Sequence, residues 1–176
     1  LGDDQAGLAS FATGGSLDLG LTTDQTALEP AIDALIASGL TCISCGLNAG
    51  QGELAANGRS DVNHVIVLLS DGEPTTETPA DAQAAADAAK AAGTIIFTIG
   101  IGTANPALME SIASDPSFFT SGTEDDLEEI FGEISGRICD DLPDDTPGRE
   151  VPEFAPLAGL LALGGAVLLV VMRRRR

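Results

Sequence analysis

The feature that most constrains the fold is a pair of uncharged apolar runs, VIVLLS at Val65–Ser70 and TIIFTIGIG at Thr94–Gly102. Both are rich in β-branched residues without polar alternation, which is typical of strands buried on both faces. Between them, Thr78-Pro79 opens an Ala-rich segment that stops at Gly93, which predicts a helix with proline in its first turn. A buried strand, a helix and a second buried strand predict an α/β fold with a mostly parallel, doubly wound sheet.

The rest of residues 6–139 continues this alternation of strands and helices. Thr26 and Glu29 have the spacing of a capping box, and Gly39 is expected to end the helix that follows it. The final helix is predicted after Thr123-x-x-Asp126, with an apolar face of Leu127, Ile130, Phe131, Ile134 and Ile138. The other expected elements are strands at Ala6–Phe11, Leu17–Leu21 and Ser117–Ser121, and helices over residues 42–57 and from Asn105 to Ala113.

The charge balance excludes one class of partner. The chain has 27 acidic and 8 basic residues, a net charge of −19, and four of its basic residues are Arg173 to Arg176. Nucleic acid would be repelled, so it is not an expected partner. The sequence offers neither a nucleophile–histidine pair nor a phosphate-binding loop, so we predict a non-enzymatic protein without a small-molecule substrate.

The C-terminal region predicts a membrane segment. Residues 154–172 are 19 uncharged residues and are followed by Arg173 to Arg176. As a helix they would extend roughly 28 Å, close to the roughly 30 Å of a bilayer core. The basic cluster predicts a cytoplasmic tail at residues 173–176 and an extracytoplasmic domain at residues 1–139. Residues 140–153 are acidic and proline-rich, which predicts an extended linker.

Two loops carry oxygen-bearing side chains at the expected ligand edge of the sheet. Asp71 follows the strand Val65–Ser70 directly, and Thr41 follows Gly39-Leu40 between two predicted helices. Ligands of open α/β sheets bind at the carboxyl ends of the strands. A carboxylate and a hydroxyl are hard ligands of the kind that Mg²⁺ prefers, with water completing its coordination.

Several motifs, taken in order, resemble those of von Willebrand factor type A (vWA) domains. VIVLLSDGEPT is similar to their fourth strand and third metal loop, and GLTCISCGL to their second metal loop. AGLASFA with LDLGL, TIIFTIGIGTANPALMESIAS and FFTSGTEDDLEEIFGEI are similar to the remaining strands and helices. The resemblance covers about residues 4–139 and implies a sheet of order 3-2-1-4-5-6.

The resemblance also implies a metal-ion-dependent adhesion site (MIDAS) that binds Mg²⁺, or in some members Mn²⁺ or Ca²⁺. Its ligands would include Thr41 and Asp71, and the metal would engage an acidic residue of a protein partner at the cell surface. Leu40 replaces the family's second glycine, and the D-x-S-x-S loop that follows the first strand has no counterpart here. We therefore expect a fragment that lacks strand 1, whose neighbours would have unpaired backbone groups. A scaffold that binds partners without metal is the alternative.

The cysteines leave more than one interpretation open. Cys42 and Cys45 form C-x-x-C at the start of a predicted helix. An external protein favours a local disulfide or two unpaired thiols, whereas a thiol–disulfide redox site or a zinc site would also use this spacing. Cys139 is expected at the opposite end of the domain. The family resemblance implies that it pairs there with an upstream cysteine.

Pro152-Glu153-Phe154, the apolar run and the arginines together resemble a C-terminal sorting signal of the PEP-CTERM or PEF-CTERM type. Such a signal would be cleaved, so the tail is predicted to be either a permanent anchor or a removable signal.

Overall fold

A computed structural model of the chain describes residues 4–36, 39–140 and 166–174. Six strands form one sheet in the order β2-β1-β6-β3-β4-β5. The strands are β1 (Gln5–Phe11), β2 (Gly15–Thr22), β3 (Val62–Ser70), β4 (Ile95–Ile101), β5 (Phe119–Gly122) and β6 (Ala166–Arg174). The helices are α1 (Leu28–Asp33), α2 (Ile43–Asn57), α3 (Pro79–Ala91), α4 (Pro106–Ile112) and α5 (Leu127–Asp140).

The predicted α/β architecture is confirmed. The strands β3, β4 and β5 pair in parallel, and β2 pairs antiparallel with β1. Because β6 is antiparallel to both β1 and β3, those two strands run in the same direction. The loops that follow β1, β3 and β4 therefore meet at one edge of the sheet, which we call the carboxyl edge.

Helices cover both faces of this sheet, as two buried apolar clusters show. On one face, Leu28 and Ile32 of α1 and the predicted apolar stripe of α5 pack against Val65, Val67 and Phe97. On the other face, α2, α3 and α4 pack against the opposite side chains of β3 and β4, including Ile66 and Leu68. The alternation of side chains along β3 thus supplies both clusters, which explains its continuous apolar sequence.

The central position of the sheet differs from the expectation of a missing strand. β6 lies between β1 and β3 and pairs with seven residues of β1 and eight of β3. Strands buried on both faces cannot leave their N–H and C=O groups unpaired without a large free-energy cost. The largely apolar strand β6 satisfies those groups, in the antiparallel direction.

In this arrangement residues 166–172 are extended, which differs from the helical conformation expected of a transmembrane segment over residues 154–172. Apolar runs suit a buried strand as well as a membrane helix, and periodicity cannot distinguish the two. Residues 154–165 of that prediction, and most of the predicted linker at 140–153, lie outside the described residues. Within the described ranges, no helix is both long and apolar enough to cross a membrane.

The starts of the helices show which local signals were interpreted correctly. Thr78 and Asp81 form a reciprocal capping box at α3, and Asn105 caps α4 through the Leu108 amide. The box predicted at Thr26 and Glu29 is wrong. Asp24 instead accepts a hydrogen bond from the Thr26 amide and begins a short 3₁₀ turn ahead of α1. α1 then ends at Asp33, well before Gly39.

Hydrogen bonds at the starts of helices and 3₁₀ turns also change the pKa values of aspartate carboxyl groups. Bonds from Thr78 and from Thr123 lower the pKa values of Asp81 and Asp126, respectively, and bonds from Ser117 lower the pKa of Asp115. Because these pKa values are depressed, the bonds stabilise the folded state above the ordinary carboxyl pKa of 3.8. That stabilisation is lost as the pH falls through the lowered values.

Candidate metal site at the carboxyl edge

The loop after β3 and the loop before α2 meet at the carboxyl edge. A Cβ atom placed on Gly72 would lie 3.4 Å from the Thr41 hydroxyl oxygen. Gly72 directly follows Asp71, so the structure brings the two predicted ligand loops side by side. Both Thr41 and Asp71 are half-buried, which leaves each of them partly accessible to solvent.

The Asp71 loop is held from two directions. The Ser70 hydroxyl donates to the Gly72 carbonyl at 3.1 Å, which closes the turn after β3. From the loop after β4, the Thr103 hydroxyl donates to the Asp71 carbonyl at 2.9 Å. The side-chain amide of Asn105 donates through Nδ2 to the Glu73 carboxylate at 3.4 Å. Only the Thr103 bond involves Asp71, and it uses the backbone carbonyl, so none of the three occupies the Asp71 carboxylate.

The loop that carries Thr41 approaches the turn after β1 closely. The Leu40 amide donates to the Thr13 hydroxyl at 3.3 Å. Gly39 has a φ of +98°, and a Cβ there would lie 2.8 Å from the same hydroxyl. Glycine therefore suits this position for both its conformation and its small size.

Thr41 is also bonded to residues that follow Asp71 in sequence. Its amide donates to the Thr75 hydroxyl at 2.8 Å, and its carbonyl accepts from the Thr75 amide at 2.9 Å. The Thr76 amide and hydroxyl approach the same carbonyl at 3.4 and 3.3 Å. The sequence interpretation missed Thr75, Thr76 and Thr103, because only the polar composition of these loops hinted at them.

The two residues fit a divalent cation as a partial site. Thr41 offers a hydroxyl and Asp71 a carboxylate at one edge, and Mg²⁺ commonly binds proteins through one or two carboxylates while keeping several waters. Nowhere in the described part of the chain do three His, Cys, Asp or Glu side chains gather into a possible metal site. The remaining ligands would therefore be water or groups from a partner.

Next to Thr41, the C-x-x-C sulfur atoms are joined in a Cys42–Cys45 disulfide with a Cα–Cα distance of 5.3 Å. Cys42 is only 5% exposed, and its sulfur lies 3.7 Å from the Glu77 carboxylate. A disulfide sulfur has no hydrogen to donate, so this is a close contact rather than a hydrogen bond. Burial blocks attack at Cys42, and the carboxylate disfavours a thiolate there, so the geometry favours a structural cross-link.

The single histidine of the chain, His64, lies near the start of β3. The ring of His64 is half-buried, and its Nε2 atom lies 3.0 Å from the Arg59 carbonyl. Cys139 belongs to α5, but its side chain is outside the described part, as is the predicted sorting motif at residues 152–154. The pairing of Cys139 and the cleavage of the tail remain predictions.

Comparison with known proteins gives a family match for most of the chain. The sequence profile of the von Willebrand factor type A domain matches residues 2–133. No curated protein matches the chain.

Solved structures give the same fold. Proximal thread matrix protein 1 from the mussel byssus is 25% identical with a TM-score of 0.59, and the match covers 72% of this chain and 32% of that protein. Another structure of that protein has a zinc-occupied MIDAS motif. BatB from Bacteroides thetaiotaomicron is 18% identical with a TM-score of 0.63, covering 79% of this chain and 81% of that one. The pilus adhesin SpaC from Lactobacillus rhamnosus GG is 14% identical with a TM-score of 0.62, covering 93% and 32%. The chain thus spans about a third of the mussel protein.

Proposed function

The chain belongs to the von Willebrand factor type A domain family, and from that premise we propose that it is a cation-dependent protein-binding module. Members of this family are mostly non-catalytic binding modules that engage protein ligands. The finer proposal is that Thr41 and Asp71 bind Mg²⁺, with Mn²⁺ or Ca²⁺ as substitutes, and that a partner's acidic side chain joins the site. One observation carries it: the Thr41 hydroxyl lies against the Asp71-Gly72 turn at the carboxyl edge.

The chemistry of the edge supports this mode of binding. A bound divalent cation would supply a positive charge where the strongly acidic chain otherwise repels a carboxylate. Thr41 and Asp71 would hold the cation from one side only, which leaves the solvent side for a partner. The half-buried position of both residues limits competing water without closing the site.

Two of the structural relatives support an adhesive role. One is a thread matrix protein of the mussel byssus with a zinc-occupied MIDAS motif, and the other is a pilus adhesin. Both are larger than this chain, so the proposal extends only to the shared module. Adhesion or assembly at a cell surface is the role that we propose for it.

We also propose that the module works outside the cytoplasm. The Cys42–Cys45 disulfide supports this location, because disulfides persist in oxidising compartments and are rare in the cytosol. Protease treatment of intact cells tests the location. Degradation of the domain without cell lysis is expected, and full protection would contradict it.

The binding mode is tested by retention of a partner on the immobilised chain. Proteins released from the surface of the source cells are applied in Mg²⁺ and then eluted with EDTA. We expect at least one protein that elutes only with EDTA and is absent when an Asp71→Asn chain is used. A partner that stays bound in EDTA would support the alternative, a scaffold that binds without metal.

The redox alternative uses Cys42 and Cys45 and predicts a different behaviour. A thiol–disulfide catalyst needs an accessible sulfur and a stabilised thiolate. The burial of Cys42 and the nearby Glu77 carboxylate weigh against both requirements. Turnover of a model disulfide substrate by the reduced chain would favour the redox role over the binding role.

A further inference from the structure

The segment after Asp71 turns back and contacts the loop that carries the other proposed ligand. Thr75 lies four positions beyond Asp71, and its hydroxyl and amide bond both backbone groups of Thr41. We propose that Thr75 is a positioning residue that fixes the Thr41 hydroxyl beside Asp71. This inference rests on the proposed function, because it concerns the geometry of that cation site.

The paired bonds restrict how Thr41 can move. Its N–H points to the Thr75 hydroxyl at 2.8 Å, while its C=O accepts from the Thr75 amide at 2.9 Å. Bonds on both sides of the residue oppose rotation of its backbone and thereby fix the direction of its Cα–Cβ bond, from which the hydroxyl extends. A hydroxyl ligand must be held in place in this way, since a loose ligand loses affinity through the entropy of ordering.

The link between Asp71 and Thr75 is short and partly rigid. Pro74 immediately precedes Thr75, and its ring fixes φ at about −65°. Two residues past Thr75, the Glu77 carboxylate accepts from the Ser44 amide at 2.9 Å, in the first turn of α2. The same segment therefore holds Thr41 at Thr75 and the start of α2 at Glu77.

Thr76 provides a matched control within the same turn. Like Thr75, it is an exposed threonine that contacts the Thr41 carbonyl. When the Thr76 hydroxyl is removed, that carbonyl still accepts a hydrogen bond from the Thr75 amide. The Thr41 amide, in contrast, has the Thr75 hydroxyl as its acceptor in the structure. Removal of each hydroxyl by valine, which has nearly the same shape, should therefore have unequal effects.

The test uses the full chain and Mn²⁺ as the probe, with free Mn²⁺ measured by electron paramagnetic resonance. We expect Thr75→Val to weaken Mn²⁺ binding about fivefold, roughly the effect of one lost hydrogen bond. Thr75→Ser and Thr76→Val should stay within about twofold of the original chain, because each keeps an acceptor or a donor for Thr41. Amide exchange at Thr41 should become faster only in Thr75→Val.

The outcomes separate this inference from the function on which it rests. Faster Thr41 exchange with unchanged Mn²⁺ affinity would overturn the positioning role and leave the cation site intact. Equal losses in Thr75→Val and Thr76→Val would also overturn it, because the turn would then matter only as a whole. An original chain that binds no Mn²⁺ would overturn the proposed function and, with it, this inference.

Discussion

Replacing Val170 with proline is expected to lower the free energy of unfolding by about 2 to 4 kcal/mol, through one lost hydrogen bond and the buried carbonyl that it leaves unpaired. Val170 lies at the middle of β6, opposite Gly7 of β1 and Ile66 of β3. Proline has no N–H, so it removes a bond from a strand that is paired on both sides, and its ring disturbs the neighbouring strand. Urea unfolding followed by circular dichroism measures the change, with the slope checked for constancy.

A proline outside β6 is the matched control for this variant. Ser60→Pro makes the same kind of substitution at an exposed turn residue outside the strands and helices, and we expect it to leave the unfolding free energy within about 0.5 kcal/mol. If Val170→Pro were equally silent, β6 would not be a central strand of the folded domain. Residues 166–172 would then be available for the membrane helix that their sequence predicted.

Replacing Asp71 with asparagine is expected to weaken Mn²⁺ binding at least tenfold, or by about 1.4 kcal/mol. The variant keeps the shape of the side chain but removes the charge that a divalent cation requires of its carboxylate ligand. The fold should persist, because the bonds that hold this loop from Ser70 and Thr103 use backbone atoms of Asp71 and Gly72. Calorimetric titration with Mn²⁺ at physiological ionic strength measures the affinity.

The control for Asp71→Asn must separate a specific site from general attraction of Mn²⁺ to a chain with a net charge of −19. Asp61→Asn removes one carboxylate from an exposed position before β3, at the opposite end of the strand. It should change the affinity less than about twofold, because salt screens separated surface charges. Similar losses in both variants would mean that Mn²⁺ collects on the acidic surface without a site at Asp71.

The five strands β1 to β5 could be predicted because their signals are local. The apolar runs at Val65–Ser70 and Thr94–Gly102 leave few alternatives to buried parallel strands. The role of the C-terminal run could not be predicted in this way. Its composition suits a membrane helix and a buried strand equally, and only the unpaired edges of β1 and β3 distinguish the two. Those edges belong to distant parts of the chain.

In the candidate site, too, the residues with local sequence signals could be predicted and the contacts between distant residues could not. Asp71 could be predicted from its place after a buried strand, and Thr41 from its resemblance to a family motif. The supporting contacts were not predictable, because Thr75 bonds a residue 34 positions away and Thr103 one 32 positions away. Local patterns also misplaced the start of α1, where Asp24 competes with Thr26 for the capping role.

Binding of a divalent cation between Thr41 and Asp71 can be followed residue by residue by NMR with trace Mn²⁺. Paramagnetic broadening should appear first at the amides of Thr41, Gly72 and Thr103, which surround the carboxyl edge. Excess Mg²⁺ should reverse it, since both ions prefer oxygen ligands. Broadening that instead spreads over the acidic residues of α3 and α5, with no early loss at Thr41 and Gly72, would show that no cation site lies between Thr41 and Asp71.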